Sequence, residues 1–87
     1  MKHRALPRFW QYNEQLPKEA RRLADKNFAL LKSDPQHPSL HFKMVDPVRK
    51  LWSVRVGLHY RALGLEKADG ILWFWIGSHT DYEKLLS

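Results

Sequence analysis

The chain has 87 residues, the length of one domain and enough for a modest core without disulfides or bound metal. It carries 15 Lys and Arg against 9 Asp and Glu, a net charge of +6, with 4 Trp, 3 Tyr, 4 Phe and no Cys. This composition excludes a disordered chain and a disulfide-stapled secreted domain, and no apolar run approaches the roughly 20 residues of a membrane span. We therefore expect a single cytoplasmic domain without a signal peptide, whose positive charge suits nucleic acid or an acidic protein segment.

The first part of the chain predicts helices. An aromatic segment at 9–12 follows Pro7 and is expected to form one or two helical turns. A longer helix is predicted over 17–33, because its apolar side chains recur with a period of 3.6 and a proline suits its first turn. The Asp34-Pro35 pair ends this helix, since a residue that precedes proline avoids the helical conformation. Residues 35–40 are expected to be a connector.

The second part of the chain predicts strands, at 41–45, 51–57, 60–65 and 71–76. Side chains alternate between apolar and polar along 51–57, which is typical of a half-buried strand. Residues 71–76 are apolar at every position, so this strand is expected to be central, with Trp73 and Trp75 in the core. The Asp69-Gly70 pair predicts the turn that precedes it.

The last residues predict a short helix. Ser78 and Asp81 have the spacing of a helix N-terminal capping box. Tyr82, Leu85 and Leu86 would then form the buried side of this helix. Together these elements predict an α+β fold, with helices packed on one face of a small antiparallel sheet.

Several short motifs follow one another in a characteristic order. They are Leu-Pro at 16–17 before a basic helix, Asp-Pro-X-His-Pro-Ser-Leu at 34–40, Lys43, Ser-Val-Arg-Val at 53–56, Tyr-Arg-Ala-Leu at 60–63 and Trp-Phe-Trp-Ile-Gly-Ser-His-Thr-Asp-Tyr at 73–82. From about Leu16 to Leu86, this order resembles the RelE/ParE superfamily of toxins from bacterial type II toxin–antitoxin systems.

The resemblance implies one toxin domain over 1–87, with a basic groove on its sheet and an antitoxin protein as its partner. Many members of the superfamily cut mRNA in the ribosomal A site, whereas others poison DNA gyrase without cutting anything. We find no counterpart of the usual first strand, so the Phe9-Trp10 segment is expected to replace it in a sheet of fewer strands.

His79 is the best candidate for proton transfer. RNA cleavage needs a base for the 2′-hydroxyl, an acid for the departing 5′-oxygen and fixed cations around the phosphorus. Histidine suits the first two roles, and the first turn of a helix attracts phosphate. The alternative is a histidine that only packs or caps where the last strand meets the helix.

Arg61 and Arg55 are the candidates for binding the phosphate. Several mRNA-cutting relatives place a lysine pair on the strand ahead of Tyr-Arg, where this chain has Ser53 and Arg55. A three- to five-residue hairpin loop would put Arg55 and Arg61 on one face, and we predict the three-residue loop Gly57-Leu58-His59. Two facing arginines repel each other unless an anion lies between them, so a shared face predicts a phosphate site. The alternative for Arg61 is an ordinary solvent-facing residue.

Further RNA contacts are predicted from Lys43, Arg49, Lys50 and Tyr82. The cations form a basic stretch that could follow a phosphate backbone, or merely a solvated strand edge. Tyr82 could stack on a base or belong to the core. His37 and His41 are four residues apart, but no Cys or acidic partner stands at metal-binding spacing, so no metal and no cofactor is expected.

These residues leave three functions open. The leading one is a ribosome-dependent mRNA endonuclease with His79 in proton transfer and Arg61 and Arg55 on the phosphate. The second is a non-enzymatic toxin that binds DNA gyrase through the same basic face. The third is a module that only docks an antitoxin.

Overall fold

The computed structural model describes all residues from Met1 to Ser87. The elements in chain order are β1 (Lys2–Ala5), α1 (Pro7–Glu14), α2 (Lys18–Ser33), a 3-10 helix (Pro38–Leu40), β2 (Lys43–Asp46), β3 (Leu51–Val56), β4 (Tyr60–Lys67), β5 (Gly70–Ser78) and α3 (His79–Leu86). No helix is long and apolar enough to cross a membrane.

The five strands form one sheet in the order β1-β5-β4-β3-β2. The predicted α+β class is confirmed, and β2, β3, β4 and β5 pair in antiparallel fashion as expected. The sheet is nevertheless mixed, because β1 pairs with β5 in parallel, from Lys2 opposite Gly70 to Ala5 opposite Trp73. The expectation that the Phe9-Trp10 segment replaces the first strand is wrong, since both residues lie in α1.

The long predicted helix is confirmed as α2, with Pro17 immediately before its first residue. Its buried side covers one face of the sheet together with α1. The core cluster on this face comprises Phe9, Ala24, Leu31, Leu40, Val54, Val56, Ala62, Ile71, Trp73 and Ile76. Burial of these apolar side chains is the main stabilising contribution to the fold.

The third helix lies on the opposite face of the sheet from α2. Tyr82 of α3 donates a hydrogen bond from Oη to Ser53 Oγ over 3.2 Å, and Ser53 alternates along β3 with the core-facing Val54. Helices therefore cover both faces rather than the single face predicted. The expected buried side of α3 forms only in part: Tyr82 and Leu86 are half-buried, whereas Leu85 is 47% exposed.

Strand β5 carries the two most enclosed tryptophans. Trp73 is 1% and Trp75 is 9% exposed, as predicted. Leu63 pairs with Trp75 while Gly64 pairs with Trp73, so Phe74 has no residue opposite it. Phe74 is therefore an extra residue in β5, and it shifts the side chains that follow it to the opposite face of the sheet from the one that regular alternation would give. As a result Trp73 and Ile76 both face the core, and Phe74 is only half-buried.

A buried histidine connects β1 to this core. His3 is 7% exposed, and its Nδ1 accepts a hydrogen bond from Trp73 Nε1 over 3.2 Å. Its other ring nitrogen, Nε2, is buried without a hydrogen-bond partner. Burial lowers the pKa of His3, and the N-terminal ammonium and Lys32 lower it further. The folded protein therefore holds this side chain neutral.

Acid should destabilise the fold through His3. In the unfolded chain this histidine takes up a proton near its ordinary pKa of 6.5, whereas the folded state resists it, so stability is lost as the pH falls below that value. The His3→Gln variant keeps an acceptor for Trp73 but does not titrate, and its free energy of unfolding should vary less between pH 7.5 and pH 5.5 than that of the wild type. Urea unfolding at both pH values measures this, with exposed His59→Gln as the control. Equal pH dependence in wild type and His3→Gln would contradict the assignment.

Candidate active site

A basic cleft of about 220 Å³ lies on the sheet face that carries α3. Its seven lining residues are His41, Lys43, Ser53, Arg55, Arg61, His79 and Tyr82. Five of them are residues that the sequence singled out for catalysis or RNA binding. No carboxylate lines the cleft, so its cations have no acidic partner within the lining.

The hairpin between β3 and β4 brings the two arginines together. Residues 57–59 form the three-residue connection, and Arg55 and Arg61 are direct partners across the two strands. The prediction that they share one face is therefore confirmed. Burial lowers the pKa of the Arg61 guanidinium, and the neighbouring charge of Arg55 lowers it further. An anion bound between the two guanidinium groups would relieve this repulsion.

The Arg55 guanidinium keeps a free donor. Its Nη1 lies 3.3 Å from His41 Nε2, while its Nε is buried without a hydrogen-bond partner. Arg61 is held differently, since its Nη1 donates to the Tyr60 carbonyl oxygen over 2.7 Å. Because guanidinium donors match phosphate oxygens in pairs, the two neighbouring arginines suit a phosphate bound in the cleft.

His79 is the first residue of α3, as the capping pattern predicted. Ser78 Oγ accepts a hydrogen bond from the Asp81 backbone N–H over 3.1 Å. The His79 backbone N–H donates to the His59 carbonyl oxygen over 2.8 Å, which ties the start of α3 to the β3–β4 loop. The side chain of His79 is therefore held at the mouth of the cleft, beside Arg61.

The two ring nitrogens of His79 have different partners. Nδ1 lies 3.3 Å from Arg61 Nη2, and Nε2 lies 2.7 Å from Glu83 Oε1. A carboxylate only accepts, so Nε2 carries the hydrogen and Glu83 fixes the orientation of the ring. Sequence-based prediction did not include Glu83. Its spacing of four residues from His79 on a helix is the signal that could have found it.

Tyr82 lies in the cleft rather than in the core. Its ring is half-buried and meets the His79 ring edge-on, with 6.1 Å between the ring centroids. Lys43 of β2 stands opposite Ser53 of β3 and extends the lining towards the sheet edge. Both predicted residues therefore line the cleft, and their role in RNA binding stays a prediction.

Arg49 and Lys50 do not lie in the cleft. They belong to the turn that joins β2 to β3, at the end of β3 away from Arg55. Arg49 also forms an ion pair with Asp46. The pKa of the Asp46 carboxyl group is lowered mainly by a hydrogen bond from the Arg49 backbone N–H, and next by a hydrogen bond from the Arg49 side chain. The basic residues of 43–61 therefore do not all line the cleft, and an RNA-binding role for Arg49 and Lys50 stays a prediction.

The sequence considered His41 only as half of a metal site. His37 instead caps the 3-10 helix, where its Nδ1 accepts from the Ser39 backbone N–H over 3.2 Å. His41 turns into the basic cleft with a backbone φ of 45°. No three His, Asp or Glu side chains come together in a group that could hold a metal ion.

Comparison with known protein families gives a match for this chain. The family description "ParE-like toxin domain" matches residues 18–84. The chain belongs to the ParE-like toxins of the RelE/ParE superfamily. Comparison with curated protein sequences gives no match.

Solved structures of superfamily members show the same fold as this ParE-like toxin. RelE in a RelB–RelE antitoxin–toxin complex from Methanococcus jannaschii has a TM-score of 0.74 at 13% identity, covering 97% of this chain and 99% of that one. The RelE–RelB complex of Pyrococcus horikoshii gives 0.67 at 15% identity, covering 88% and 92%. A YoeB/ParE toxin from Agrobacterium tumefaciens gives 0.67 at 13% identity, covering 91% and 99%.

Proposed function

We propose that this toxin cuts mRNA on the ribosome. The observation that carries the proposal is the open cleft in which Arg55, Arg61 and His79 meet with no carboxylate in the lining. Attack of a ribose 2′-hydroxyl on the adjacent phosphate needs cations on the phosphate and proton transfer at two oxygens. The cleft offers side chains of both kinds.

The two arginines would hold the scissile phosphate between them. Both guanidinium groups would stabilise the charge that builds on the phosphate oxygens. We assign His79 to the departing 5′-oxygen, because its protonated ring would have the Glu83 carboxylate as an ion-pair partner. The products would be a 2′,3′-cyclic phosphate and a free 5′-hydroxyl.

We also propose an antitoxin protein as the partner of this toxin. Two of the structural neighbours are antitoxin–toxin complexes, RelB–RelE from Methanococcus jannaschii and from Pyrococcus horikoshii. The net charge of +6 favours a partner with an acidic surface.

The second candidate is a toxin that binds DNA gyrase without cutting RNA. The ParE-like description of the family match favours it, as does the presence of Ser53 and Arg55 where several mRNA-cutting relatives have a lysine pair. The same basic cleft would then contact a protein. A module that only docks an antitoxin would inhibit neither target.

Induction of the toxin in cells without antitoxin separates these functions. We expect primer extension to find new 5′ ends in translated mRNA, and purified toxin to cut the same mRNA only when ribosomes are present. Gyrase-dependent DNA breaks should not accumulate. Uncut mRNA together with such DNA breaks would favour gyrase as the target. If the cells show neither mRNA cleavage nor DNA breaks, that result would favour the module that only docks an antitoxin.

A further inference from the structure

His41 holds an unusual backbone conformation at the edge of the basic cleft. Its φ of 45° lies in the left-handed region, which is unfavourable for a residue that has a side chain. It directly follows the 3-10 helix, and its N–H is directed at the Pro38 carbonyl oxygen at 3.4 Å. His41 is exposed overall, and its ring lies beside Arg55 at the edge of the cleft.

The ring of His41 directs a nitrogen lone pair at Arg55 in the cleft. Nε2 faces Arg55 Nη1 at 3.3 Å, and because a guanidinium only donates, Nε2 is the accepting nitrogen. The same cleft is also lined by Lys43 from β2, Ser53 from β3, Arg61 from β4, and His79 and Tyr82 from α3. None of them is a carboxylate, so a protonated His41 would have no ion-pair partner among them.

The two histidines of the cleft therefore differ in their surroundings. His79 has the Glu83 carboxylate at 2.7 Å, whereas His41 has only a guanidinium. They also flank the arginine pair from opposite sides, with His41 on Arg55 and His79 on Arg61. A phosphate between the arginines would have one histidine on each side, as a reaction with two separate proton transfers requires.

We propose that His41 is the general base of the cleavage reaction, a catalytic role that rests on the proposed function. Arg55 turns from His41 Nε2 to the phosphate, which frees the lone pair. Nε2 then takes the proton of the 2′-hydroxyl as the O2′–P bond forms. The P–O5′ bond breaks, and His79 supplies a proton to O5′.

Three variants of the full toxin test this role in the cleavage of ribosome-bound mRNA. His41→Gln keeps an acceptor for Arg55 but cannot transfer the proton, so its cleavage rate should fall about 10²–10⁴-fold. His41→Gly fits the left-handed backbone and leaves room for imidazole added to the buffer. His59→Gln replaces an exposed histidine outside the cleft and should cut like the wild type.

Added imidazole provides the decisive readout. Cleavage by His41→Gly should rise with imidazole concentration, and substituted imidazoles should restore it in the order of their basicity, which a merely positioning role would not produce. A His41→Gln rate within threefold of the wild type, or no effect of imidazole on His41→Gly, overturns the proposal. Wild-type toxin that leaves ribosome-bound mRNA uncut refutes the endonuclease function itself, which is a different result.

Discussion

We expect His79→Ala and Arg61→Ala each to remove most of the growth inhibition that the wild-type toxin should cause. Loss of a general acid or base lowers a rate by about 10²–10⁴. Loss of one electrostatic contact to the transition state costs on the order of 10²–10³. If both side chains act on one transition state, as proposed, the effects should not add fully in the double variant. Primer extension on cellular mRNA after induction measures the loss for each variant.

Both variants should still fold and bind antitoxin. The His79 side chain is 44% exposed, so its truncation to alanine should leave no enclosed cavity. Removal of the Arg61 charge relieves its repulsion with Arg55. Thermal unfolding and antitoxin co-purification check this, and Arg21→Ala, an exposed substitution on α2, serves as the matched control. If His79→Ala cuts mRNA as well as the wild type, proton transfer belongs to another residue.

Gly70→Ala should detach β1 from the sheet. A Cβ at Gly70 would lie 1.9 Å from the Lys2 carbonyl oxygen and 2.6 Å from the Lys2 nitrogen. No rotamer change can relieve an overlap with backbone atoms, so the paired strand must move away. We expect a loss of at least about 3 kcal/mol in the free energy of unfolding, towards the upper end of single-substitution effects.

Two measurements test the Gly70 prediction. Urea unfolding gives the loss of stability, and hydrogen exchange should show faster exchange at the amide of Leu6, which bonds to the Trp73 carbonyl oxygen in the wild type. Ala68→Ser, in the same exposed turn, should leave both unchanged. An unaltered Leu6 amide in Gly70→Ala would show that β1 tolerates the added carbon.

The parts of the fold that the sequence predicts well are those with local signals. The period of α2, the capping pattern at Ser78 and the three-residue loop at 57–59 each depend on neighbours in the chain. The register of Arg55 and Arg61 follows from that loop, so the centre of the candidate site could also be predicted.

The parts that escaped prediction depend on distant neighbours. β1 has four residues and a mostly polar pattern, and it is a strand only because β5, far along the chain, offers it a partner. His41 joins the site only because the connector after α2 folds back onto β3. The last helix lies on the second face of the sheet because Tyr82 reaches Ser53, a contact that spacing alone does not reveal.

The parallel pairing of β1 with β5 has a consequence for how the toxin is made. Strand β1 is synthesised first, but its partner β5 is synthesised only when the domain is nearly complete. Contacts between residues so far apart in the sequence also form slowly. The α3 helix, which carries His79, follows β5 directly. A nascent toxin still lacking these elements would have neither a closed sheet nor a complete cleft. Each copy of the toxin would therefore complete its sheet and its cleft only after β5 and α3 have been synthesised.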